Sequence, residues 1–302
     1  MESELRLALS QLEQVLLDKP KAVRLSMACL LAGGHLLIED LPGMGKTTLS
    51  TALASTLGLS YRRVQFTADM LPADLLGVNI FNQATAQFEF HQGPLFCQVL
   101  LADEINRASP KTQSALLEAM AEKQISLDGT THPLPAPFFV IATQNPTEQS
   151  GTFPLPESQV DRFMMRLSLG YPGEAAERRL LKGDHRADDP AGLSPVLTPE
   201  RLHQLGQAVS AIRVSDAVLD YLLALVNYSR QCERALHPLS PRASQALLAA
   251  AKAWALLAGR AFLVPEDIMA VFAPVTQHRL CPQSADQGQL HAEHILSQVA
   301  PA

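Results

Sequence analysis

The most constraining feature of this 302-residue chain is the segment 38–48, which reads Ile-Glu-Asp-Leu-Pro-Gly-Met-Gly-Lys-Thr-Thr. A strand end, a turn rich in proline and glycine, and a helix start follow one another there. This order predicts a phosphate-binding loop, because turn N–H groups and the positive end of the helix dipole can face one anion. The predicted nucleotide-binding residues of this loop are Pro42, Gly43, Met44, Gly45, Lys46, Thr47 and Thr48.

Two side chains of the loop have expected roles. Lys46 would reach the β- and γ-phosphates of a nucleotide, and the Thr47 hydroxyl would bind Mg²⁺. One position departs from the pattern G-x-x-x-x-G-K-[ST], because Asp40 stands where the first glycine belongs. A carboxylate facing a triphosphate would repel it, so we expect the Asp40 side chain to point away from the loop.

Length and composition limit the class of protein. The chain is long enough for two domains, and its composition of 47% hydrophobic and 18% charged residues is typical of a well-buried globular protein. A net charge of −6 argues against nucleic acid as the main partner, since phosphate binding needs many basic residues. The acidic N-terminus and the lack of a long apolar run predict a cytoplasmic protein without a transmembrane segment.

Short apolar runs alternate with helical patterns through the first half of the chain. The predicted strands are residues 35–39, 63–66, 99–103, 138–143 and 164–167. Helices are predicted at 3–17, 20–32, 47–57, 111–121 and 156–162. Alternation of this kind favours an α/β fold, a parallel sheet with helices on both faces that binds ligands at the carboxyl ends of its strands.

Two hairpins and a helical second half complete the organisation. The first hairpin is predicted from strands 78–81 and 87–91, and the second from 125–127 and 131–134 around an Asp-Gly turn. The second half is predicted to be all helical, with helices at 201–209, 215–233, 241–258 and 265–271. We therefore divide the chain into an α/β core (1–172), a linker with a bridging helix (173–198) and a helical domain (199–302).

Polar residues at predicted strand ends suggest the chemistry. Asp103 and Glu104 end an apolar strand, where in a nucleotide hydrolase the first acid holds Mg²⁺ through water and the second activates the attacking water. Asn145 follows the next strand and could orient that water without adding charge. We expect the three side chains to face the phosphate-binding loop, with Glu104 and Asn145 as catalytic residues.

Two arginines stand out in the remaining sequence. Arg162 is our choice for an arginine finger, a side chain that a neighbouring subunit offers to the γ-phosphate, and Arg166 is its rival. The alternative for Arg162 is a surface ion pair with Glu157 or Asp161. Arg242 lies in the first turn of a predicted helix, where the helix dipole disfavours a cation, so an anionic phosphate would explain its position.

With these motifs in hand, the chain resembles the MoxR-family ATPases of the AAA+ class. The resemblance rests on segments 34–37, 42–47, 101–108, 142–146, 151–157, 161–163 and 240–243. It implies a P-loop NTPase fold, with a parallel five-stranded sheet and helices on both faces, an all-α lid domain, and ATP and Mg²⁺ bound between the subunits of a ring, commonly a hexamer. By this analogy Lys46 and Thr47 belong to Walker A, Asp103 and Glu104 to Walker B, Asn145 is sensor 1, and Arg242 is sensor 2.

The resemblance also implies partners. Members of the family act like chaperones that remodel or mature a client protein complex, often with a separate protein carrying a von Willebrand factor A domain.

Two alternatives remain open from the sequence: a nucleic-acid-dependent AAA+ motor and a slow nucleotide-switch adaptor. The second hairpin carries few basic residues, which disfavours the motor. Glu104 disfavours the adaptor, because a pure switch does not need a positioned base. Whether Arg242 acts on its own nucleotide or a neighbour's, and which residues contact adenine, stay open.

Overall fold

The computed structural model describes residues 2–145, 151–182, 190–231, 237–282 and 284–301. In chain order, its strands are β1 (Leu36–Glu39), β2 (Tyr61–Gln65), β3 (Gly77–Asn82), β4 (Gln87–Gln92), β5 (Val99–Asp103), β6 (Gln124–Leu127), β7 (Thr130–Pro133), β8 (Phe139–Gln144) and β9 (Met165–Leu167).

A parallel sheet of five strands forms the centre, in the order β2-β5-β8-β1-β9. Every residue of β5 is buried, and β8 is buried except at its last residue. Nearly continuous apolar strands are typical of a parallel sheet that is covered on both faces. The predicted five-stranded parallel sheet is therefore confirmed. At the edge, β2 starts two residues earlier than predicted, because its exposed Arg62 and Arg63 conceal the strand from an apolar pattern.

Helices cover both faces of this sheet and make up the second half of the chain. They are α1 (Glu2–Val15), α2 (Pro20–Leu31), α3 (Lys46–Thr56), α4 (Pro72–Leu76), α5 (Pro110–Glu122), α6 (Glu157–Val160), α7 (Glu174–Lys182), α8 (Pro199–Ser210), α9 (Asp216–Gln231), α10 (Pro241–Leu257), α11 (Pro265–Leu280) and α12 (Ala285–Gln298). The hydroxyls of Ser109, Thr198, Ser240 and Ser284 each accept the backbone N–H three residues on, which caps α5, α8, α10 and α12.

The core divides into two hydrophobic clusters. Leu36 and Ile38 of β1 belong to the cluster that joins α1, α2 and α3 to the helices of the second half. Leu37, which points to the opposite face, belongs to the cluster around α5 and β6. Successive strand residues face opposite sides, so β1 is buried in both clusters. The predicted helical second domain is thus packed against one face of the α/β core.

Helix α11 is longer than predicted. The predicted helix ends at Val271. A proline inside a helix removes one backbone hydrogen bond. The helix continues through the buried Pro274 to Leu280. Contacts with β9, α10 and α12 surround it along its length, and this packing outweighs the lost hydrogen bond. Its last turn, which the sequence did not predict, lies beside the segment that carries Arg162.

Both predicted hairpins are present, and they touch each other. Strands β3 and β4 pair antiparallel, as do β6 and β7. The rings of Phe90 and His132 stack with centroids 4.0 Å apart, and Asn79 donates a 2.7 Å hydrogen bond to Asp128. The two hairpins therefore form one joined surface at the side of the sheet.

Some expectations concern parts of the chain that the structure does not describe. Residues 183–189 of the predicted linker and the end of the predicted helix beyond Gln231 lie outside the described residues. The division of the chain at residues 172 and 198 stays a prediction. None of the helices in the described ranges has the length and apolarity that a membrane crossing requires.

Candidate active site

The phosphate-binding loop lies between β1 and α3, at the carboxyl end of the sheet. Gly43 and Gly45 have φ angles of 83° and 91°, a backbone conformation that glycine adopts without strain. Gly45 is the N-cap of α3 and leaves that helix without a side-chain cap. The first N–H groups of a helix have no acceptor within it, so the start of α3 can bind an anion.

Asp40 points away from this loop, as expected. Its carboxylate accepts hydrogen bonds from the Ser168 hydroxyl at 2.8 Å, from the Gly170 N–H at 3.2 Å and from the Leu169 N–H. These donors follow β9, so the carboxylate is used to join the loop to the neighbouring strand. The substitution of the first glycine therefore does not place a negative charge in the anion site.

Lys46 lies at the centre of the candidate site. Its Nζ donates a 2.8 Å hydrogen bond to the Asp40 backbone carbonyl. Burial lowers the pKa of Lys46, and the carboxylates of Asp103, Asp40 and Glu104 act in the opposite direction. The lysine therefore shares one electrostatic environment with both acids that end β5.

Asp103 is a buried carboxylate with a partner on each oxygen. Oδ1 accepts a 2.6 Å hydrogen bond from the Thr143 hydroxyl of β8, and Oδ2 lies 2.6 Å from Nη2 of Arg63 on β2. The two neighbouring strands thus hold the acid in place from both sides. Magnesium binds carboxylates and hydroxyls as hard oxygen ligands, which fits Asp103 together with Thr47.

Glu104 adopts a left-handed backbone conformation, with φ 57° and ψ 49°. This conformation is uncommon for a residue other than glycine, and such residues cluster at functional sites. The Glu104 N–H donates to the Thr143 hydroxyl at 2.9 Å. Its carboxylate accepts a 2.7 Å hydrogen bond from the Gln65 amide and lies 3.3 Å from Arg107 Nη1. The chain turns sharply here, so the side chains of Asp103 and Glu104 point in different directions.

Asn145 follows β8 directly and is buried. Because β8 lies between β5 and β1 in the sheet, Asn145 leaves the sheet between the acid pair and the phosphate-binding loop. The structure therefore gathers the loop, Asp103, Glu104 and Asn145 at the carboxyl end of the sheet, as the sequence predicts. Pro146, the last residue of the Asn145 motif, lies outside the described residues.

Arg162 lies at the opposite end of the sheet, where the parallel strands begin. The Met164 N–H, two residues on, donates to the His35 carbonyl at 2.8 Å, just before β1 begins. The phosphate-binding loop follows the other end of β1, and four strand residues span about 13 Å. Arg162 is exposed and donates to the Leu117 carbonyl of α5 at 2.6 Å. It cannot reach the loop of its own chain.

Arg242 lies beside the same segment. Its Nη1 is 3.8 Å from the Asp161 carboxylate, and 65% of its side chain is exposed. Asp161 pairs with Arg242 and Arg279, and Glu157 pairs with His237. Within the described ranges, neither acid pairs with Arg162. The anion nearest to Arg242 is a carboxylate of its own chain. Like Arg162, it is remote from the loop of that chain.

Arg166, the rival of Arg162, is enclosed by its own chain. Its side chain is 3% exposed and its Nη1 lies 3.2 Å from Glu39. Another donor, Nη2, contacts the Ser284 carbonyl at 3.4 Å, at the start of α12. Burial lowers the pKa of Arg166, and Glu39 opposes that effect. This geometry favours Arg162 over Arg166 for any contact with a neighbouring copy.

Sequence reasoning missed three strand residues that contact the acid pair: Arg63, Gln65 and Thr143. All three lie on the strands next to β5 in the sheet. In this register Gln65 is opposite Asp103, and Ala142 is opposite Ala102, so Thr143 comes next to Asp103. The strand order was the missing information, because a sequence alone does not show which strands are neighbours.

Comparison with known proteins places this geometry in a class. Residues 35–165 match the model of the family described as "ATPase family associated with various cellular activities (AAA)", and residues 227–299 match the model of an AAA lid domain. The chain superimposes on the crystal structure of a candidate ATPase from Cytophaga hutchinsonii with a TM-score of 0.89 and 34% identity. That match covers 100% of this chain and 96% of the other. The fold is that of an AAA+ ATPase with a helical lid.

Two relatives indicate the family to which the chain belongs within the AAA+ class. The uncharacterized protein YeaC of Bacillus subtilis is 43% identical over 98% of this chain and 92% of its own length. Chaperone MoxR1 of Mycobacterium tuberculosis is 36% identical over 90% of this chain and 74% of its own length. The chain belongs to the MoxR family of AAA+ ATPases.

Proposed function

We propose that this protein hydrolyses ATP, with Mg²⁺, to ADP and phosphate. The observation that carries the proposal is the convergence of Lys46 with Asp103 and Glu104 at the start of α3, where the helix is uncapped. A helix start, a lysine and a pair of acids are the parts that recur in P-loop hydrolases. Membership of the AAA+ class supports the same reaction.

The residues of this chain have separate roles in the proposed reaction. The loop from Pro42 to Thr48 holds the phosphates, and Lys46 offsets the charge of the β- and γ-phosphates. Thr47 and Asp103 would hold Mg²⁺, with a water between the ion and Asp103. A bound magnesium ion would neutralise charge that develops on the phosphate oxygens. Glu104 accepts a proton from the attacking water, and Asn145 orients that water.

Two side chains hold the Glu104 carboxylate. Gln65 and Arg107 both contact the same oxygen, Oε2, so Oε1 would take the proton once the side chain turns toward the attacking water. The Thr143 hydroxyl holds the Glu104 N–H and the Asp103 carboxylate together, so the backbone can stay fixed while the glutamate side chain turns. Rotation of one side chain is then enough to make the base available.

Arg162 and Arg242 act on the nucleotide of a neighbouring subunit in this proposal. Both arginines are exposed, Arg242 contacts Asp161, the residue before Arg162, and this segment lies at the end of the sheet remote from its own phosphate-binding loop. An arginine supplied by another subunit can speed phosphoryl transfer by about 10³- to 10⁵-fold. Such contacts repeat around a closed ring, for which we propose six subunits.

We propose that the ring remodels or matures a client protein complex in the cytoplasm, together with a separate protein that carries a von Willebrand factor A domain. The support for a protein client is the family and the name of the relative Chaperone MoxR1. The joined hairpin surface supports it as well, because Phe81 and Phe88 are 50% and 71% exposed there. Exposed aromatic side chains of this kind are typical of surfaces that contact other proteins.

Hydrolysis by Lys46→Ala and Glu104→Gln proteins tests the reaction. We expect Lys46→Ala to lose ATP binding and hydrolysis, and Glu104→Gln to bind ATP but turn it over at least about 100-fold more slowly. Lys252→Ala, which removes a half-buried lysine of α10 that donates to the Ser210 carbonyl, is the control and should keep wild-type activity. Equal hydrolysis by all four proteins would refute the proposal, and binding without turnover in the wild type would favour the switch adaptor.

A further inference from the structure

One buried arginine of the helical domain holds the segment that carries Arg162. Arg279 lies in the last turn of α11, and 6% of its side chain is exposed. A guanidinium has five N–H donors. Nε donates to the Asp161 carboxylate at 2.6 Å, and Nη1 and Nη2 donate to the carbonyls of Asp161, Phe163 and Met164 at 2.9–3.1 Å. Nη1 also donates to the Val275 carbonyl of α11 itself.

A second side chain of α11 supports the same backbone. His278 Nε2 donates to the Phe163 carbonyl at 3.0 Å. Burial holds the pKa of His278 well below its usual range, so the ring is neutral, with the proton on the nitrogen that donates. Together Arg279 and His278 hold the carbonyls on both sides of Arg162. The position of this segment therefore depends on α11, and α11 belongs to the helical domain.

The Asp161 carboxylate connects this segment to Arg242. Oδ1 is bonded to Arg279, while Oδ2 lies 3.8 Å from Arg242 Nη1. A buried guanidinium needs an ionic partner, and Asp161 supplies it. Arg279 can therefore hold Asp161 in place while the exposed Arg242 remains able to leave it. Arg162 follows Asp161 directly in the chain, so the contacts that hold Asp161 also hold the backbone that leads to Arg162.

We propose that Arg279 is a positioning residue for nucleotide hydrolysis. Through the carbonyls of 161–164 it fixes the backbone that carries Arg162, and through Asp161 it holds the carboxylate that Arg242 contacts, so that both arginines can meet the phosphate of a neighbouring copy. Arg279 itself touches no nucleotide. The inference rests on the proposed function, because it needs ATP that is shared between subunits. It also means that the helical domain of one subunit controls hydrolysis in the next.

The first test compares Arg279→Lys with Arg260→Lys. Lysine has three donors on one nitrogen and cannot bond the five separate acceptors of Arg279. We expect Arg279→Lys to lower kcat by about 10- to 100-fold, the cost of a misplacement of about 1 Å, with KM for ATP changed less than about twofold. Arg260 pairs with the buried Asp267 at the other end of α11, so Arg260→Lys is a matched control that should keep wild-type kcat. Equal loss in both variants, or a loss carried by KM, would overturn the inference.

Mixing and a combined variant separate positioning from general damage. Glu104→Gln subunits have intact Arg162 and Arg242, so adding them to Arg279→Lys subunits should restore hydrolysis at the Arg279→Lys sites. In a background that carries both Arg162→Ala and Arg242→Ala, Arg279→Lys should lower kcat by less than about twofold further, since both arginines that it positions are already absent. Full multiplication of the two losses, or no recovery on mixing, would overturn the role of Arg279.

Asp161→Asn gives an independent test if Arg279→Lys does not fold. Asparagine can still accept from Arg279 but lacks the charge that faces Arg242. We expect a fall in kcat of at least about fivefold, recovered by mixing with Glu104→Gln. Wild-type kcat would contradict the proposal. Arg162→Ala distinguishes failure of the proposed function from failure of the role of Arg279. If Arg162→Ala hydrolyses ATP normally, the proposed function fails. If it is impaired and rescued by mixing while Arg279→Lys and Asp161→Asn are not, only the present inference fails.

Discussion

Thr143 shows how one residue can organise a catalytic pair. Its hydroxyl donates to the Asp103 carboxylate at 2.6 Å and accepts from the Glu104 N–H at 2.9 Å. A hydroxyl can do both at once, whereas no apolar side chain can do either. The polar ends of two neighbouring strands thereby become one rigid unit, and the left-handed turn at Glu104 is held by a side chain.

A Thr143→Val substitution tests this role. Valine has nearly the same shape, so the main change is the loss of the hydroxyl. We expect hydrolysis to fall about 10- to 100-fold, because both acids lose their alignment, while ATP binding changes less than about threefold. The buried Asp103 oxygen that loses its donor should cost about 1–3 kcal/mol of unfolding free energy. Steady-state kinetics, ATP titration and urea unfolding measure the three quantities.

Thr276→Val is the matched control for this prediction. Thr276 is a buried threonine of α11 whose hydroxyl donates to the Phe272 carbonyl at 2.7 Å. Its replacement should lower stability to a similar or smaller degree and leave hydrolysis unchanged. Loss of activity in both variants to the same degree would mean that Thr143 acts only through stability.

Residue types alone identified part of the candidate site. Lys46, Asp103, Glu104 and Asn145 were predictable because each follows a recognisable strand. Arg63, Gln65 and Thr143 were not, because their importance depends on which strands are neighbours. Arg279 could not be found either, since its partners lie more than one hundred residues away in the chain. A sequence shows reactive groups more readily than the groups that hold them.

At the scale of elements, prediction succeeded where burial is uniform. Strands β5 and β8 lie within apolar runs in the sequence, and the structure buries them between helices. The predicted bounds of α11 and β2 were wrong, because contacts with other elements determine where these two elements begin and end. Helix α11 passes through Pro274 because it is enclosed by other elements, and β2 carries two arginines because it is an edge strand. In both cases the deciding contacts are distant in sequence.

His35, directly before β1, should make the stability of the protein depend on pH. His35 is buried there, and its Nδ1 accepts from the Val140 N–H at 3.0 Å while Nε2 donates to the Met120 carbonyl at 3.3 Å. Burial lowers the pKa of His35 from 6.5 to about 4. The unfolded chain therefore takes up the proton first as the pH falls. The stabilising effect of the neutral ring is complete above about pH 6.5 and is lost progressively toward pH 4.

Urea unfolding at pH 7 and pH 5 measures this effect. Of the stability lost between the two pH values, we expect His35 to account for about 2 kcal/mol. His35→Gln should reduce the loss by that amount, since glutamine does not titrate. His203→Gln, at an exposed position on α8, should leave it unchanged. An identical pH dependence in the wild type and His35→Gln would show that the buried ring is not the cause.

At the scale of the whole molecule, charge distinguishes a protein client from nucleic acid. The chain has a net charge of −6, and the turn of the β6–β7 hairpin carries Asp128, which is bonded to Asn79. His132 of that hairpin is stacked on Phe90, so it is not presented freely to a phosphate backbone. The hairpins that could grip DNA offer aromatic and acidic groups instead.

We therefore expect duplex or single-stranded DNA to change the rate of ATP hydrolysis by less than about twofold at low salt. Hydrolysis assays with and without DNA, at low and at physiological ionic strength, measure this. A strong stimulation that falls steeply as salt is added would show counterion release and would support the nucleic-acid motor instead.

The central claim is that each nucleotide is bound by one subunit and activated by the next. It follows from the opposite positions of the phosphate-binding loop and of Arg162 on the sheet, about 13 Å apart along β1 alone. Two variants disable different halves of such a shared site. Glu104→Gln removes the base but keeps the arginines, whereas Arg162→Ala keeps the base but offers no finger to its neighbour.

Hydrolysis by mixtures of these two variants is the most direct measurement. Each variant alone should hydrolyse ATP at least about 100-fold more slowly than the wild type. Mixed rings, verified by native mass spectrometry, should recover activity that peaks at an intermediate ratio, because some interfaces then combine an intact base with an intact arginine. Mixed rings that stay inactive at every ratio would contradict the claim that the site is shared.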